Sequence, residues 1–215
     1  MKSLPDAIPF GWRVALVAIL AISCTMTDEK KSWKKSHGDC KHPLLNEIDM
    51  EKFSAEEKEA FDAIDEMFAW YLARSQEGQP PASREVFPRM EKILGYGFAA
   101  IDPLQEIVRM GNRHSMDQIW ELKETSYYMM AAMMLGRLGA GEAVGDLLTM
   151  ADRRGPRESA LRAAAIKALG EIGDPKALEM IREATLDHYE EVRKAAEEAL
   201  GRMGETPSDA TRAKE

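Results

Sequence analysis

Three Leu-Gly pairs constrain the fold of this chain more than any other feature. Leu135-Gly136, Leu169-Gly170 and Leu200-Gly201 are spaced 34 and 31 residues apart, and the residues around them coincide. A second glycine follows three residues after each first one, at Gly139, Gly173 and Gly204, preceded by Leu138, Ile172 and Met203. Ala131, Ala165 and Ala196 stand four residues before each leucine, and Tyr127, Leu161 and Val192 stand eight before. Apolar residues at these intervals share one face of an α-helix, and a glycine after the last of them can take the left-handed conformation that ends it. Each unit therefore predicts a buried helix and a turn. In the unit that reads LGEIGDPKALEMI, Asp174 is placed to cap a second helix with Pro175 at its first position. Ala177, Leu178 and Ile181 then supply that helix with an apolar face. A fainter copy begins at Leu94, where Asp102-Pro103 echoes Asp174-Pro175.

A repeat of this length means stacked helix pairs, none of which buries its apolar side alone. Composition agrees: Val and Ile are sparse while Ala, Glu, Leu, Met and Lys are common, so almost no strand is expected. The segments LRAAAIKALGEIGDPKALEMIREA and DHYEEVRKAAEEALGRMG resemble HEAT-like repeats of the short-turn kind, also found in phycobilin lyases. Asp187, Val192, Arg193 and Leu200-Gly201 sit where that family pattern places them, whereas Tyr128 stands where the later copies have Arg162 and Arg193. The resemblance is clear over residues 125–204. It implies an all-α fold, a short right-handed α-solenoid of HEAT-like helix pairs over residues 94–204, and it implies no chemistry.

Both ends of such an array must be closed. Ser54 with Glu57 forms a capping box, after which Phe61, Ile64, Phe68, Tyr71 and Leu72 share one helical face. This helix is expected to cap the N-terminal end, with the acidic residues Glu56, Glu59, Asp62, Asp65 and Glu66 on its solvated side. SQEGQPPAS, residues 75–83, reads as a loop whose Ser83 caps the next helix, so that residues 54–93 form the N-terminal helices. The polar helix EEVRKAAEEALGRM closes the other end. Residues 205–215 are expected to be a disordered tail.

The first segment concerns addressing. After Lys2 and Arg13 the apolar run VALVAILAIS ends at Cys24. Leu20, Ala21, Ile22 and Ser23 before that cysteine resemble a tolerant form of the bacterial lipobox. Residues 1–23 are thus expected to be a signal peptide, with Cys24 lipidated and Thr25 after it resembling an outer-membrane destination that faces the periplasm. Ordinary secretion and an N-terminal anchor are the alternatives; the uncharged run from Val14 to Met26 makes only about 20 Å of helix, short of a bilayer core of about 30 Å. Residues 24–53 read as a flexible, Lys-rich tether. Its His37, Cys40 and His42 could bind Zn or Cu, but three ligands without a fourth, in a segment without fixed geometry, are better explained as a solvated linker.

A formal net charge of −8 argues against nucleic acid as a partner. No phosphate loop, catalytic triad or metalloprotease signature occurs, and no cofactor is expected. What remains is a ridge along the repeats. Met130 and Met134 fall near the buried stripe, whereas Met129 and Met133 fall away from it. With Tyr128, Arg162, Lys167, Arg193 and Lys194 they form the expected partner-binding surface, grading from apolar to charged. His114 and His188 are expected in turns, without partners. Two functions follow: a non-catalytic protein-binding scaffold, lipid-anchored in the bacterial cell envelope, or, from the lyase resemblance, an enzyme or carrier for a bilin or other tetrapyrrole. The export signal weighs against the second, because bilin attachment occurs inside the cell.

Overall fold

A computed structural model describes residues 48–76, 81–115, 125–155 and 157–205. The signal peptide, Cys24, most of the tether with His37, Cys40 and His42, and residues 206–215 lie outside the described residues. The described residues form eight α-helices: α1 Ala55–Gln76, α2 Ser83–Leu94, α3 Ile101–Arg113, α4 Thr125–Leu138, α5 Val144–Ala151, α6 Ser159–Ile172, α7 Leu178–Ala184 and α8 Glu190–Arg202. Short 3₁₀ turns at Gly97–Ala100, Gly141–Ala143 and Pro175–Ala177 join α2 to α3, α4 to α5 and α6 to α7. No strand occurs among the described residues, and the fold is a short all-α solenoid.

The repeat stripe forms the core. Tyr127, Ala131 and Leu135 on α4, Leu161, Ala165 and Leu169 on α6, and Val192, Ala196 and Leu200 on α8 are all buried in one continuous cluster. Gly139, Gly173 and Gly204 end these helices with φ of 64°, 72° and 77°, the left-handed region that favours glycine. Asp174 caps as its spacing predicts, accepting from the Lys176 amide at 2.9 Å. The first glycine of each pair has a different role. A Cβ on Gly136 would lie 2.7 Å from Ala168 Cα on α6, and one on Gly170 would lie 2.4 Å from Ala199 Cβ on α8. The Leu-Gly pair therefore joins a core leucine to a point where the next helix backbone approaches closely.

Among the described residues, that stacking goes no further than α8. Positions that face the following helix are buried on α4 (Ala132, Gly136) and on α6 (Ile166, Gly170). Their counterparts on α8, Glu197 and Gly201, are exposed, and among the described residues nothing lies within 4 Å of a Cβ built on Gly201. At the opposite end α1 covers the array. Its Phe68 ring stacks on Tyr127 at 4.7 Å between centroids, and Tyr71 meets the same ring edge-on at 6.2 Å. The capping box forms, with the Ser54 amide donating to Glu57 Oε2 at 2.5 Å and the Glu57 amide to Ser54 Oγ at 3.3 Å. On the acidic side of α1, Glu56, Glu59 and Asp62 are exposed, whereas Asp65 and Glu66 are half-buried, with Glu66 3.6 Å from Lys92 of α2.

Three boundaries differ from those expected. Ordered chain begins before Ser54: Ile48 and Phe53 are buried, and Phe53 packs against Phe61 at 6.1 Å, because two large apolar side chains gain more from the core than from a tether. Glu205 belongs to the fold and not to the tail, since its amide donates to the Leu200 carbonyl and its carboxylate pairs with Arg182 at 2.6 Å. Ser83 is the first residue of α2 and not its cap. The Ala82 carbonyl already accepts from the Glu85 and Val86 amides, which starts the helix one residue earlier.

Candidate functional site

The expected ridge divides into two parts that do different things. Tyr128, Arg162 and Arg193 occupy the same position, seven residues before the leucine, in the first turns of α4, α6 and α8. Side chains there lean toward the helix N-terminus, and each reaches back to the loop from which its helix starts. Tyr128 Oη lies 3.4 Å from His114 Nδ1. Arg162 donates to the Arg153 carbonyl at 3.0 Å, and Arg193 donates to the Asp187 and His188 carbonyls at 2.8 and 2.9 Å. Tyr128 and Arg162, expected on an exposed surface, are 1% and 3% exposed and hold the interior together. His114, expected without a partner, has one in Tyr128.

Arg162 does more than its two counterparts. One of its nitrogens donates to both oxygens of Asp187 at 2.8 Å, and its guanidinium lies 5.5 Å from the Tyr189 ring centroid. Burial by itself raises the Asp187 carboxyl; the Tyr189 amide and the Arg162 guanidinium outweigh it and hold the group below the ordinary aspartate range. Arg153 makes the corresponding link one loop earlier. It donates to the Gly111 and His114 carbonyls, both at 3.1 Å, and pairs with Glu158 at 2.9 Å. The loops before α4, α6 and α8 are thus fastened in a row by arginines.

The other part of the ridge is a surface. Counting from each leucine, positions −6, −2 and +2 hold Met129, Met133 and Arg137 on α4, Ala163, Lys167 and Glu171 on α6, and Lys194, Glu198 and Arg202 on α8. All are half-buried or exposed. Met129 and Met133 rest on the core while keeping one side open. Farther along, the charges pair between helices in register: Lys167 with Glu198 at 3.8 Å, and Arg202 with Glu171 at 2.7 Å. Lys194 pairs with Glu190 on its own helix at 2.6 Å, and Arg137 reaches Glu91 of α2 at 2.6 Å. The face grades from thioether to ion pair, as the sequence order dictates.

One charged cluster has no counterpart in the sequence pattern. Glu106 on α3 is almost buried, and three cations converge on it: Lys52 at 2.7 Å, Arg113 at 3.5 Å and Arg109 at 3.7 Å. Burial by itself raises the Glu106 carboxyl, and the hydrogen bond and charge of Lys52, with the charges of Arg113 and Arg109, hold it below the ordinary glutamate range. Arg109 also pairs with Asp146 of α5 at 3.0 Å, where Gln105 donates at 2.6 Å. Lys52 and Glu106 are 54 residues apart, so no local pattern announces the cluster. Among the described residues no group of three or more His, Cys, Asp or Glu is placed to hold a metal ion, and no helix is long and apolar enough to cross a membrane.

Residues 122–210 match the family model described as HEAT repeats. Over that segment the chain is similar to HEAT repeats, whose arrays commonly serve as protein-interaction scaffolds. No curated protein and no solved structure matches the chain.

Proposed function

We propose that this protein is a non-catalytic interaction module, held in the bacterial cell envelope by a lipid on Cys24, that binds another protein on the repeat ridge formed by the exposed positions of α4, α6 and α8. The observation that carries the reading is the pairing of half-open Met129 and Met133 with a charged continuation on the same face. Thioether side chains adapt to a partner's shape, and the ion-paired rim gives orientation more than affinity. Lys167 and Lys194 belong to this surface. Arg193 stands at its border, with its guanidinium already engaged by backbone carbonyls. Tyr128 and Arg162 are excluded from it by burial.

The test is photo-crosslinking in the native envelope with a reactive residue at position 133 and a control at position 58, which is exposed near the start of α1. A defined protein adduct at 133 and none at 58 is expected; equal labelling at both positions overturns the assignment. Mass spectrometry of the membrane-extracted N-terminus tests the address separately. A diacylated Cys24 is the expected product, and an unmodified Met1 overturns the lipid anchor.

A further inference from the structure

We propose that the edge formed by the end of α3 and the loop between α5 and α6 is a second docking surface, and that it takes an acidic segment of a partner protein. Two observations bring this edge together. Arg153 donates to the Gly111 and His114 carbonyls, which seats the α5–α6 loop against the end of α3. Lys52, Arg109 and Arg113 meet on Glu106 beside that end. The arrangement is layered by charge. The Glu106 carboxylate lies beneath, its side chain 12% exposed, whereas Lys52, Arg109, Arg113 and Arg154 are 40%, 45%, 55% and 60% exposed; Glu158, also 12% exposed, is taken up by Arg153, itself 13% exposed. Arg157, in the same loop, is exposed as well. Asp152 is the exposed carboxylate of that loop, 3.0 Å from Arg154.

Glu106 thus holds Lys52, Arg109 and Arg113 at the surface, and Arg154 and Arg157 of the adjoining loop add two exposed cations, on a chain whose net charge is −8. A local field of this sign attracts anions that the molecule as a whole repels. The point on which Lys52, Arg109 and Arg113 converge is already filled by the Glu106 carboxylate. A compact anion such as phosphate therefore has no converging donor set to enter. What faces solvent is a dispersed row of guanidinium groups, which matches carboxylates spread along a chain and offers each of them a forked donor. The surface is distinct from the Met129 and Met133 face and does not depend on it.

Fluorescence anisotropy of a labelled oligoglutamate peptide, titrated with the full chain at low ionic strength, tests this. Binding is expected, and it should vanish as salt approaches about 1 M, where the Debye length is about 3 Å. Combining Arg113→Gln, Arg154→Gln and Arg157→Gln should weaken it about tenfold, as expected for three exposed charge contacts. The control combination Arg84→Gln, Lys92→Gln and Lys176→Gln changes net charge equally on other surfaces and should leave binding intact. Should the first combination fail to fold, Arg154→Gln with Arg157→Gln leaves every partner of Glu106 in place and should still weaken binding severalfold. Equal weakening by the control combination, or no binding by the unsubstituted chain, overturns the proposal. So does displacement of the peptide by inorganic phosphate at equal charge concentration, or tighter binding of a single-stranded oligonucleotide of the same charge.

Discussion

Arg162 and Asp187 form a buried ion pair that ties the start of α6 to the loop leading into α8, both carboxylate oxygens lying 2.8 Å from one guanidinium nitrogen. Their side chains are 3% and 6% exposed. Removing one partner strands the other charge away from water, and such losses cost about 3–5 kcal/mol. Arg162→Gln and Asp187→Asn should therefore each lower the urea unfolding midpoint by most of the stability of a marginal array. Tyr128→Phe removes only the hydroxyl facing His114 and should cost about 1 kcal/mol. A midpoint for Arg162→Gln as high as that of Tyr128→Phe would show the pair to be dispensable.

Acid should attack the same pair. Asp187 has its folded-state value lowered by the Tyr189 amide and Arg162, and Glu106 by Lys52, Arg113 and Arg109, so each contributes stability that is present above its unfolded value of about 4. That contribution is lost as pH falls below about 4 through the lowered folded values. Chemical denaturation across this window should show stability declining with acid. Asp187→Asn lowers the plateau and flattens part of the decline, because the group that would take up the proton on unfolding is gone.

The glycines of the Leu-Gly pairs separate packing from helix propensity. At Gly170 a methyl group would sit 2.4 Å from Ala199 Cβ and 2.6 Å from its Cα, so α8 must shift; overpacking of this kind costs about 1–3 kcal/mol. At Gly201 the space is open, and alanine gains up to about 1 kcal/mol of helix propensity. Thermal melts should rank Gly201→Ala at or above the parent and Gly170→Ala below it. The reverse order would mean that α8 is not held against α6 as described.

Periodicity made the repeat core legible, because a stripe every four residues and a terminating glycine are local facts with one physical reading. Leu135, Leu169 and Leu200 needed no partner to be placed in the core. The position seven residues before each leucine carries no such local signal. Tyr128, Arg162 and Arg193 look like a variable surface in sequence, yet each turns back onto the loop that precedes its helix, to His114, the Arg153 carbonyl and the Asp187 carbonyl. A long polar side chain at a helix start serves a loop as readily as solvent. Met129, Met133, Lys167 and Lys194, by contrast, lie on the face that helical spacing gives them. The Glu106 cluster joins residues 52, 106, 109 and 113 with Asp146, and tertiary contact alone reveals it.

The end of the array offers a last prediction. Ala132 on α4 and Ile166 on α6 face the helix that follows them and are buried; Glu197 occupies the same register on α8 and is exposed. A carboxylate beside the open Gly201 makes further stacking unfavourable, since burying it without a partner costs several kcal/mol. Glu197→Ile restores an apolar position next to a glycine that already admits a close helix, and burying one such side chain contributes about 1.5–3 kcal/mol. The substituted chain should acquire a faster-sedimenting species that grows with protein concentration, whereas Glu197→Gln should sediment like the parent. Unchanged sedimentation of Glu197→Ile would place the stop signal elsewhere on α8, with Lys194 the next residue to replace.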